Sequence, residues 1–289
     1  MNATPRLTPL WRAGIAALVI GCVALAAALA SATDTSGAAS VALAFDPGSN
    51  SLIKVQGDTV YRRALEGGDW QPLRLPNAAQ HGRITTVAVS PHSALYVAGL
   101  GLGVLRSADG GRTWSEKRDG LPDDNISAIA VHADQPATVY AYVSGKGMFR
   151  SEDAGDHWRL MDLGPRGALR QFIHSNMPGS MQTGWLFAAT DKGVARSMDC
   201  FCGWRDAGAF DRAVSSVAYD PNEPKRVYAA SGDGVFVSSD GGEHWAHLSA
   251  PPRITALVAL PSGDLVAADD AGALLRSSDR GVTWRALEG

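Results

Sequence analysis

The sequence predicts an all-β fold: a six-bladed β-propeller of four-stranded antiparallel blades with a repeated turn, preceded by an N-terminal apolar helix. Three observations lead to this prediction. A nonapeptide that ends in tryptophan recurs along the chain, its copies lie 39 to 46 residues apart, and short strand-like runs fill each interval. A period in this range is typical of one supersecondary unit that is repeated and stacked on its neighbours. Four short antiparallel strands repeated six times form a propeller.

The N-terminal segment differs from the rest of the chain. Arg6 and Arg12 precede an uncharged apolar run at 13–32, which ends in small residues. A basic head, an apolar middle and a small-residue exit are typical of a secretory signal, while an apolar run of about 20 residues is also long enough to anchor the chain in a bilayer. We therefore expect residues 1–37 to be a signal peptide or membrane anchor, in contact with the membrane, and residues 38–289 to be the propeller.

Lipidation is a third alternative for this segment. The stretch VIGC at 19–22 resembles a bacterial lipobox, in which Cys22 would be acylated. The apolar residues at 23–30 argue against it, because lipoproteins usually become polar after that cysteine. All three alternatives send the remaining chain across the membrane, since the positively charged flank stays inside. We expect an exported protein, periplasmic or extracellular, whether or not residues 13–32 tether it to the cytoplasmic membrane.

The composition argues against two classes of protein. The chain has 26 Lys and Arg residues against 29 Asp and Glu residues, a net charge of −3. This balance argues against binding to nucleic acid, which requires a basic surface. The apolar content of 45% argues against a disordered chain, because it is sufficient for a core.

Two cysteines, Cys200 and Cys202, follow Cys22 in the sequence. Export permits a disulfide between them, and a local turn variant is the alternative. Two thiolates without a nearby pair of histidines at ligand spacing do not form a metal site. We therefore predict no metal and no cofactor.

Each repeat contains short runs that predict strands. In the second repeat they are ITTVAVSP from 84, ALYVAG from 94, GVLRS from 103 and TWSEK from 113. Runs of this length, rich in β-branched and aromatic residues and bounded by Gly, Pro and Asp, are typical of strands. The chain starts on an innermost strand and ends on an outermost one. We therefore expect side-chain packing between the first and last blades, without a shared strand, to close the ring.

The nonapeptide is RSADGGRTW at 106–114, and a degenerate copy ends at Trp70. Serine lies seven residues before the tryptophan, aspartate five and glycine three. Aspartate accepts hydrogen bonds from its own turn, glycine supplies a positive φ and tryptophan buries a large apolar area. A residue that recurs in every blade serves every blade, so these positions are predicted to be structural. The set comprises Ser107, Asp109, Gly111 and Trp114; Ser151, Asp153, Gly155 and Trp158; Ser197, Asp199 and Trp204; Ser238, Asp240, Gly242 and Trp245; and Ser277, Asp279, Gly281 and Trp284.

Two further columns recur, and one residue departs from its column. Tyr96, Tyr140 and Tyr228 share a strand position and are expected to be structural. Trp185 stands where other blades carry polar residues, and is either a filler or an exposed contact. Arginines recur eight residues before the tryptophan, where their stems are expected to pack between blades. They are Arg62, Arg106, Arg150, Arg196 and Arg276.

The nonapeptide resembles the Asp-box, or bacterial neuraminidase repeat, whose pattern is S-x-D-x-G-x-T-W. SADGGRTW at 107–114 and SSDRGVTW at 277–284 match it fully, and the other copies match in part. The chain is similar to the Asp-box propellers, which include sialidases, sortilin-type receptors, certain glucan hydrolases and photosystem II assembly and stability factor-like proteins. The resemblance implies boxes at the propeller rim, between third and fourth strands and away from the usual binding face. It specifies the fold far more than the function.

Two classes of function compete. A sialidase-type glycoside hydrolase would carry, by the same resemblance, three arginines, a tyrosine activated by a glutamate and an early R-I-P motif. The stretch GRITT at 82–86 lacks the proline, no unique tyrosine has a glutamate partner, and the few glutamates flank rim turns. We therefore predict a non-catalytic exported propeller that binds a protein or envelope component as an assembly scaffold, with the glycoside hydrolase as the alternative. The sequence leaves the oligomeric state open.

Five basic residues mark a candidate binding face. Arg83 and Arg253 immediately precede the first strands of their blades, Arg212 lies one residue further upstream, and Lys146 and Lys192 lie in loops expected on the same face. Cations that converge from separate blades would bind an acidic surface, because Arg grips carboxylates in bidentate fashion. The alternative is ordinary mixed surface charge, since aspartates occupy the same loops.

Overall fold

The computed structural model describes residues 41–76, 82–210, 212–248, 251 and 253–287. The predicted N-terminal apolar helix and the alternatives for Cys22 lie outside these residues. Within the described part of the chain, no helix has the length and hydropathy needed to cross a membrane.

The described residues form 24 strands in six four-stranded sheets. Blade 1 comprises β1 (Val41–Asp46), β2 (Ser51–Gln56), β3 (Thr59–Ala64) and β4 (Gln71–Leu73). Blade 2 comprises β5 (Arg83–Val89), β6 (Leu95–Leu100), β7 (Gly103–Ser107) and β8 (Ser115–Glu116). Blade 3 comprises β9 (Ile126–Val131), β10 (Val139–Val143), β11 (Gly147–Ser151) and β12 (Arg159–Asp162).

The remaining three blades follow the same scheme. Blade 4 comprises β13 (Leu169–Ser175), β14 (Trp185–Thr190), β15 (Gly193–Met198) and β16 (Arg205–Asp206). Blade 5 comprises β17 (Val214–Asp220), β18 (Glu223–Ser231), β19 (Gly234–Ser238) and β20 (Ala246–Leu248). Blade 6 comprises β21 (Ile254–Ala259), β22 (Leu265–Asp269), β23 (Leu274–Ser277) and β24 (Arg285–Ala286). In every sheet the strands lie side by side in chain order, so the six-bladed, four-stranded propeller is confirmed.

The ring closes by side-chain packing between blades 1 and 6. Among the described residues, no strand pairing joins these two blades. Val41 and Leu52 of blade 1 instead share one buried cluster with Ala256, Leu260 and Val266 of blade 6. The closure predicted from the order of the strands is therefore present.

The second strand of each blade is buried because neighbouring blades cover both of its faces. β14 is buried at all six positions, and its sequence is a continuous apolar run rather than an alternating one. Tyr96, Tyr140 and Tyr228 are almost fully buried in the second strands, in line with a structural role. Trp185 is 6% exposed, so of its two alternatives the structure supports a filler between blades.

The innermost strands of blades 2 to 6 carry a repeated bulge at their second or third residue. The register shifts in blades 2 to 6, and the residues left unpaired there are Thr85, Ser127, Arg170, Ser215 and Thr255. A bulge places one extra residue opposite a single partner and bends the strand. Thr85 Oγ1 donates to Ile126 O at 2.9 Å, and Ser215 Oγ donates to Ile254 O at 2.8 Å, in each case across to the next blade. Arg170 is the charged exception and is exposed.

The loops lie on two opposite faces of the ring. The connection face carries the hairpins between second and third strands (101–102, 144–146, 191–192, 232–233 and 270–273) together with the links from blade to blade. Gly103 N donates to Asp124 O at 2.9 Å on this face. The box face carries the hairpins between first and second strands together with the turns between third and fourth strands. Gly241 N donates to Lys225 O at 2.8 Å on that face.

Packing at the closing interface predicts the effect of two matched substitutions. Leu52 at the blade 1–6 interface and Leu186 at the blade 3–4 interface are both 0% exposed. We expect Leu52→Ala and Leu186→Ala each to lower the free energy of unfolding by about 2–5 kcal/mol, because each leaves a cavity between blades. Chemical denaturation measures both. A much smaller loss for Leu52→Ala than for Leu186→Ala would contradict closure by packing.

Candidate functional site

The Asp-box turns of blades 2, 3, 5 and 6 share one set of hydrogen bonds. In blade 2, Ser107 Oγ donates to Asp109 Oδ1 at 2.8 Å, and Gly111 N donates to Ser107 Oγ at 2.7 Å. Thr113 donates its N–H to Asp109 Oδ1 at 2.9 Å and its hydroxyl to Oδ2 at 2.5 Å. The same four contacts recur in the other three turns. One carboxylate therefore holds each turn by accepting both backbone and side-chain donors.

Glycine is required in these turns at the position three residues before the tryptophan. Gly111, Gly155, Gly242 and Gly281 have φ values of 91°, 95°, 87° and 90°. This left-handed region is open to glycine at little cost, because glycine has no Cβ to collide with the backbone. The indole of Trp114 then donates from Nε1 to Gly111 O at 3.2 Å, which fixes the ring against its own turn.

The donors that surround the box carboxylates favour their ionised form. The hydroxyl and N–H of Thr283, followed by the hydroxyl of Ser277, lower the pKa of Asp279 to about 2. Equivalent donors, of which the Thr113 hydroxyl is the strongest, hold the pKa of Asp109 well below its ordinary range. The boxes therefore remain charged and intact well below neutral pH.

The same turns tether adjacent blades. The carbonyl four residues before the tryptophan points toward the preceding blade, where Arg62 Nη1 donates to Gly110 O at 2.9 Å. Arg196 donates to Gly241 O in the same way, and its second guanidinium nitrogen pairs with Glu243. Each of these bonds runs from one blade to the next, so the box is also a connector between blades.

The arginine column has more varied contacts than its shared position predicts. Arg62 and Arg196 reach the next blade, but Arg106 Nε donates to Tyr96 OH at 3.2 Å within its own blade. Arg150 pairs with Glu152 at 2.7 Å, and Arg276 pairs with Asp264 at 2.6 Å. The expected packing of arginine stems between blades is therefore only part of what the column does.

Blade 4 departs from the expected box. Among the described residues, Asp199 accepts no hydrogen bond from its own turn. Gly203, which precedes the tryptophan where the other boxes carry Thr or His, has no side-chain donor. Asp199 Oδ2 instead accepts the N–H of Thr183 at 3.0 Å together with the Thr183 hydroxyl. Ser197 Oγ donates to Met198 O at 3.0 Å rather than to the aspartate. Ser197, Asp199 and Trp204 thus occupy box positions without forming the box.

The turn of blade 4 is closed by a disulfide between Cys200 and Cys202, whose Cα atoms are 5.4 Å apart. The two alternatives for these cysteines, a disulfide and a local turn variant, are therefore both present, because the bond lies within a turn that differs from the other boxes. Phe201 lies between the cysteines at φ 56°, where the other boxes have glycine.

Asp199 belongs to a buried cluster with two histidines. His132, His174 and Asp199 are 1%, 2% and 1% exposed, and the two imidazole rings stack with centroids 3.8 Å apart. His132 Nε2 lies 2.6 Å from Thr183 Oγ1, and His174 Nε2 lies 3.5 Å from Asp199 Oδ2. The cluster thus converges on one carboxylate from two adjacent blades.

Sequence reasoning missed this cluster because its members are far apart in the chain and form no short motif. A signal was present in the blade alignment. His132 and His174 occupy equivalent positions after or at the end of their first strands, where other blades carry Asp46, Ser90 and Asp220. Histidine in adjacent blades at one buried position indicates a contact across the blade interface.

The cluster fits a hydrogen-bonded network better than a metal site. The ligand atoms lie within 4.8 Å of one another, as a metal site would require. However, His174 Nδ1 accepts the N–H of Ala133 at 3.1 Å, and His132 Nδ1 accepts the N–H of Asp134 at 3.0 Å. Each Nε2 therefore carries the proton, whereas a ligating Nε2 needs an Nδ1–H that donates outward.

Burial sets the charge states in the cluster. Desolvation, followed by the neighbouring His174, lowers the pKa of His132 to about 4. Burial alone would raise the pKa of Asp199, but the nearby His174 imidazole and the hydrogen bonds from Thr183 outweigh it and lower the pKa to about 2. A neutral His132 therefore lies beside an ionised Asp199 over most of the pH scale.

The five basic residues of the candidate binding face do not form one free cluster. All five are exposed, and they lie on the connection face. Arg212 is paired with Asp233, and Arg253 is paired with Asp270. No contact within the described residues pairs the charged group of Arg83, Lys146 or Lys192. Of the five expected cations, only Arg83, Lys146 and Lys192 therefore lack an ion-pair partner among the described residues.

A cavity of about 390 Å³ on the connection face adjoins Lys192. Arg166, Asp206 and Phe210 line it together with Lys192. Arg166, in the link before blade 4, and Arg170, at the bulge of β13, are both exposed and have no ion-pair partner within the described part of the chain. Sequence reasoning missed both, because neither directly precedes a strand in the way that Arg83 does.

The central channel holds a second cavity, of about 380 Å³, lined by the first strands of all six blades. Phe45, Val131, Ile173 and Tyr219 give it an apolar wall. Burial raises the pKa of Tyr219 to about 12, so the phenol stays protonated. No Asp or Glu is among the residues that line this cavity, and Asp206 is the single carboxylate lining the other. Neither cavity presents the pair of carboxylates that glycoside hydrolysis commonly uses.

Comparison with known proteins places the fold. No protein-family model and no curated protein matches the sequence. Among solved structures, YCF48 from Cyanidioschyzon merolae is 18% identical, with a TM-score of 0.56 over 86% of this chain and 85% of that one. YCF48 bound to a D1 peptide is 17% identical, with a TM-score of 0.52 over 76% and 72%.

Enzymes share the fold as well. The GH74 xyloglucanase from Xanthomonas campestris is 19% identical, with a TM-score of 0.59 over 86% of this chain but 47% of the enzyme. An ancestral GH74 enzyme is 20% identical, with a TM-score of 0.55 over 76% of this chain and 32% of the enzyme. The chain thus spans less than half the length of these two enzymes. Together with the turn geometry, the similarities show an Asp-box-type β-propeller, and at this identity they show the fold alone.

The contacts of the box carboxylate predict a loss of stability when it is removed. Asp240 accepts the N–H groups of Glu243 and His244, each at 3.0 Å. We expect Asp240→Ala to lower the free energy of unfolding by about 0.5–1.5 kcal/mol per lost hydrogen bond, as measured by urea denaturation. Asp58→Ala, on an exposed hairpin, is the control and should have no effect. Equal stability of the two variants would contradict a structural box.

The buried histidine predicts a pH dependence. His132 has a pKa of about 4 in the folded chain against an ordinary value of 6.5. Between these values the unfolded chain binds a proton that the folded chain does not, so stability falls as the pH is lowered through this window. We expect this slope to be smaller in His132→Gln when the free energy of unfolding is followed from pH 7 to pH 4.

His157→Gln is the control for this experiment. The pKa of exposed His157 is raised by its hydrogen bond with Asp153, so its proton is exchanged above the window and the slope below pH 6.5 should persist. Identical slopes for wild type and His132→Gln would refute the assignment.

Proposed function

We propose that the protein is an exported, non-catalytic scaffold whose connection face binds an acidic segment of a partner protein or envelope component. One observation carries this proposal. Five exposed cations of blades 2 to 4 lie on this face without an ion-pair partner among the described residues. They are Arg83, Lys146, Arg166, Arg170 and Lys192.

The two faces differ in what their side chains do. On the box face the aspartates, glycines and tryptophans hold turns and tether blades, so few of their polar groups are available to a partner. On the connection face the links vary from blade to blade, and exposed loops on a rigid scaffold are where binding residues concentrate. Free guanidinium groups beside a cavity favour carboxylates as ligands, because Arg binds them through two parallel hydrogen bonds.

Similarity in fold supports binding of a peptide. The YCF48 structure with a D1 peptide demonstrates that a propeller of this kind is able to hold a peptide. The GH74 enzymes favour the alternative, a glycoside hydrolase. The cavities described here lack a pair of carboxylates, and this absence favours binding over catalysis.

The proposed location rests on the N-terminal sequence and on the disulfide. A basic flank followed by the apolar run at 13–32 would export the propeller, with or without a retained anchor. A disulfide between Cys200 and Cys202 persists in an oxidising compartment outside the cytoplasm. Both features support a periplasmic or extracellular protein.

The basic cluster of blade 4 predicts charge-dependent binding. The triple variant Arg166→Glu, Arg170→Glu and Lys192→Glu should bind a fluorescent glutamate-rich peptide at least about tenfold more weakly than wild type, because each charge-assisted contact contributes more than a neutral one. Fluorescence anisotropy at two salt concentrations measures this, and wild-type binding should weaken at the higher one.

A variant with the same change in charge controls for this experiment. Arg112→Glu, Lys225→Glu and Arg285→Glu replace exposed residues outside the connection face and should leave peptide binding within about twofold of wild type. Equal losses in the two triple variants would contradict the proposed face. Hydrolysis of chromogenic glycosides by wild type would favour the alternative function.

A further inference from the structure

The turn between β15 and β16 lacks the hydrogen bonds that hold the other boxes. Four hydrogen bonds hold each of the turns in blades 2, 3, 5 and 6. The serine hydroxyl donates to the aspartate, the glycine N–H donates to the serine, and the residue before the tryptophan donates twice to the aspartate. Within the described residues, blade 4 forms none of these four contacts. The Cys200–Cys202 disulfide is the bond that crosses this turn in their place.

The disulfide-closed turn lies against blade 3. Phe201, between the two cysteines, is 8% exposed, and its ring centroid is 5.9 Å from that of Tyr140 in β10. Asp199, just before Cys200, reaches the network of Thr183 and His132. Phe201, and Asp199 through Thr183, therefore take part in the box-face contact between blades 3 and 4, beside the stacked rings of His132 and His174.

The backbone of this turn is held in a conformation that its residues do not favour. Phe201 has φ 56°, a region that is uncommon for a bulky side chain. Such a conformation persists only where several surrounding contacts hold it in place. With the box hydrogen bonds missing, the disulfide acts together with the hydrogen bond that Phe201 N donates to Met198 O at 2.9 Å.

The disulfide lies in a turn at the surface of the protein. Cys202 is exposed and Cys200 is half-buried. An attacking thiolate must approach one sulfur of a disulfide directly, so exposure at Cys202 determines which sulfur is attacked.

We propose that Cys200–Cys202 is a site of thiol–disulfide exchange, and that its reduction by a dithiol opens the box-face contact between blades 3 and 4. The thiolate of the dithiol attacks Cys202 Sγ, and Cys200 leaves as a thiolate. The second thiol of the reductant then attacks the mixed disulfide and releases Cys202. Two electrons pass to the protein, which gains two thiols, and the reductant becomes a disulfide. The inference concerns the box face and does not depend on the proposed binding face.

The first test asks whether exchange occurs in the folded protein. The full-length chain with Cys22→Ser, which removes the third thiol, is treated with dithiothreitol without denaturant, and thiols are counted by maleimide labelling and mass spectrometry. We expect two thiols to appear while far-ultraviolet circular dichroism is unchanged, and oxidised glutathione to restore the disulfide. Thiols that appear only in denaturant would overturn the proposal.

The second test asks whether reduction opens the contact. For a three-residue loop, loss of the disulfide should lower Tm by about 3–6 °C. Amide hydrogen exchange should become faster in residues 182–186 and 198–204, and should not change in the box of blade 5 at 239–245. Equal Tm and equal exchange in the oxidised and reduced proteins would overturn the proposal.

A variant that cannot form the bond separates reduction from side effects of the reagent. Cys200→Ser with Cys202→Ser, on the same Cys22→Ser background, should show the Tm and exchange pattern of the reduced protein whether or not dithiothreitol is present. A double variant that matches the oxidised protein would also refute the proposal that the disulfide holds the contact between blades 3 and 4. If the variant does not fold, the reversible reduction of the parent chain still decides the question.

Discussion

A carboxylate that accepts hydrogen bonds from its own turn is the interaction on which the ring depends. By drawing the N–H groups of residues such as Thr113 inward, Asp109 leaves the carbonyl of Gly110 facing the preceding blade, where Arg62 donates to it. The box therefore does two things at once, since it shapes a hairpin and offers an acceptor across a blade boundary. A ring that closes by packing needs such contacts in addition to its apolar core, because no backbone ladder joins the first and last blades within the part of the chain that the structure describes.

This division of work leaves the opposite face available for the binding that we propose. The aspartates and glycines of the box face are committed to the turns, and changing them changes stability. The exposed charges of the connection face take no part in the boxes, so they can differ from one blade to the next without loss of the box contacts. Arg166, Arg170 and Lys192 illustrate this freedom, since other blades carry neutral residues at the bulge where Arg170 lies.

The sequence predicted contacts that recur from repeat to repeat between residues close together in the chain. It missed contacts that occur once between residues far apart in the chain. The boxes of blades 2, 3, 5 and 6 could be predicted because their donors and acceptors lie within seven residues of each other. The cluster of His132 and His174 could not, since it forms only when two blades pack in register. The pairing of Arg212 with Asp233 agrees with the alternative of mixed surface charge, but the sequence did not specify which aspartate would pair with it. Gly203 was the available signal that the Asp199 turn would differ, as it removes the donor that a box requires.

The central claim is that the Asp-box links blades as well as shaping a turn, and a double-mutant cycle between Arg196 and Asp240 tests it most directly. Arg196 of blade 4 donates to Gly241 O, in the turn that Asp240 holds. If the box presents this acceptor, Arg196→Ala will cost less stability in the Asp240→Ala background, with a coupling energy of about 0.5–3 kcal/mol, as found for residues in one hydrogen-bond network. Strictly additive losses in urea denaturation would show that the turn and the contact between blades are independent, and would contradict the account.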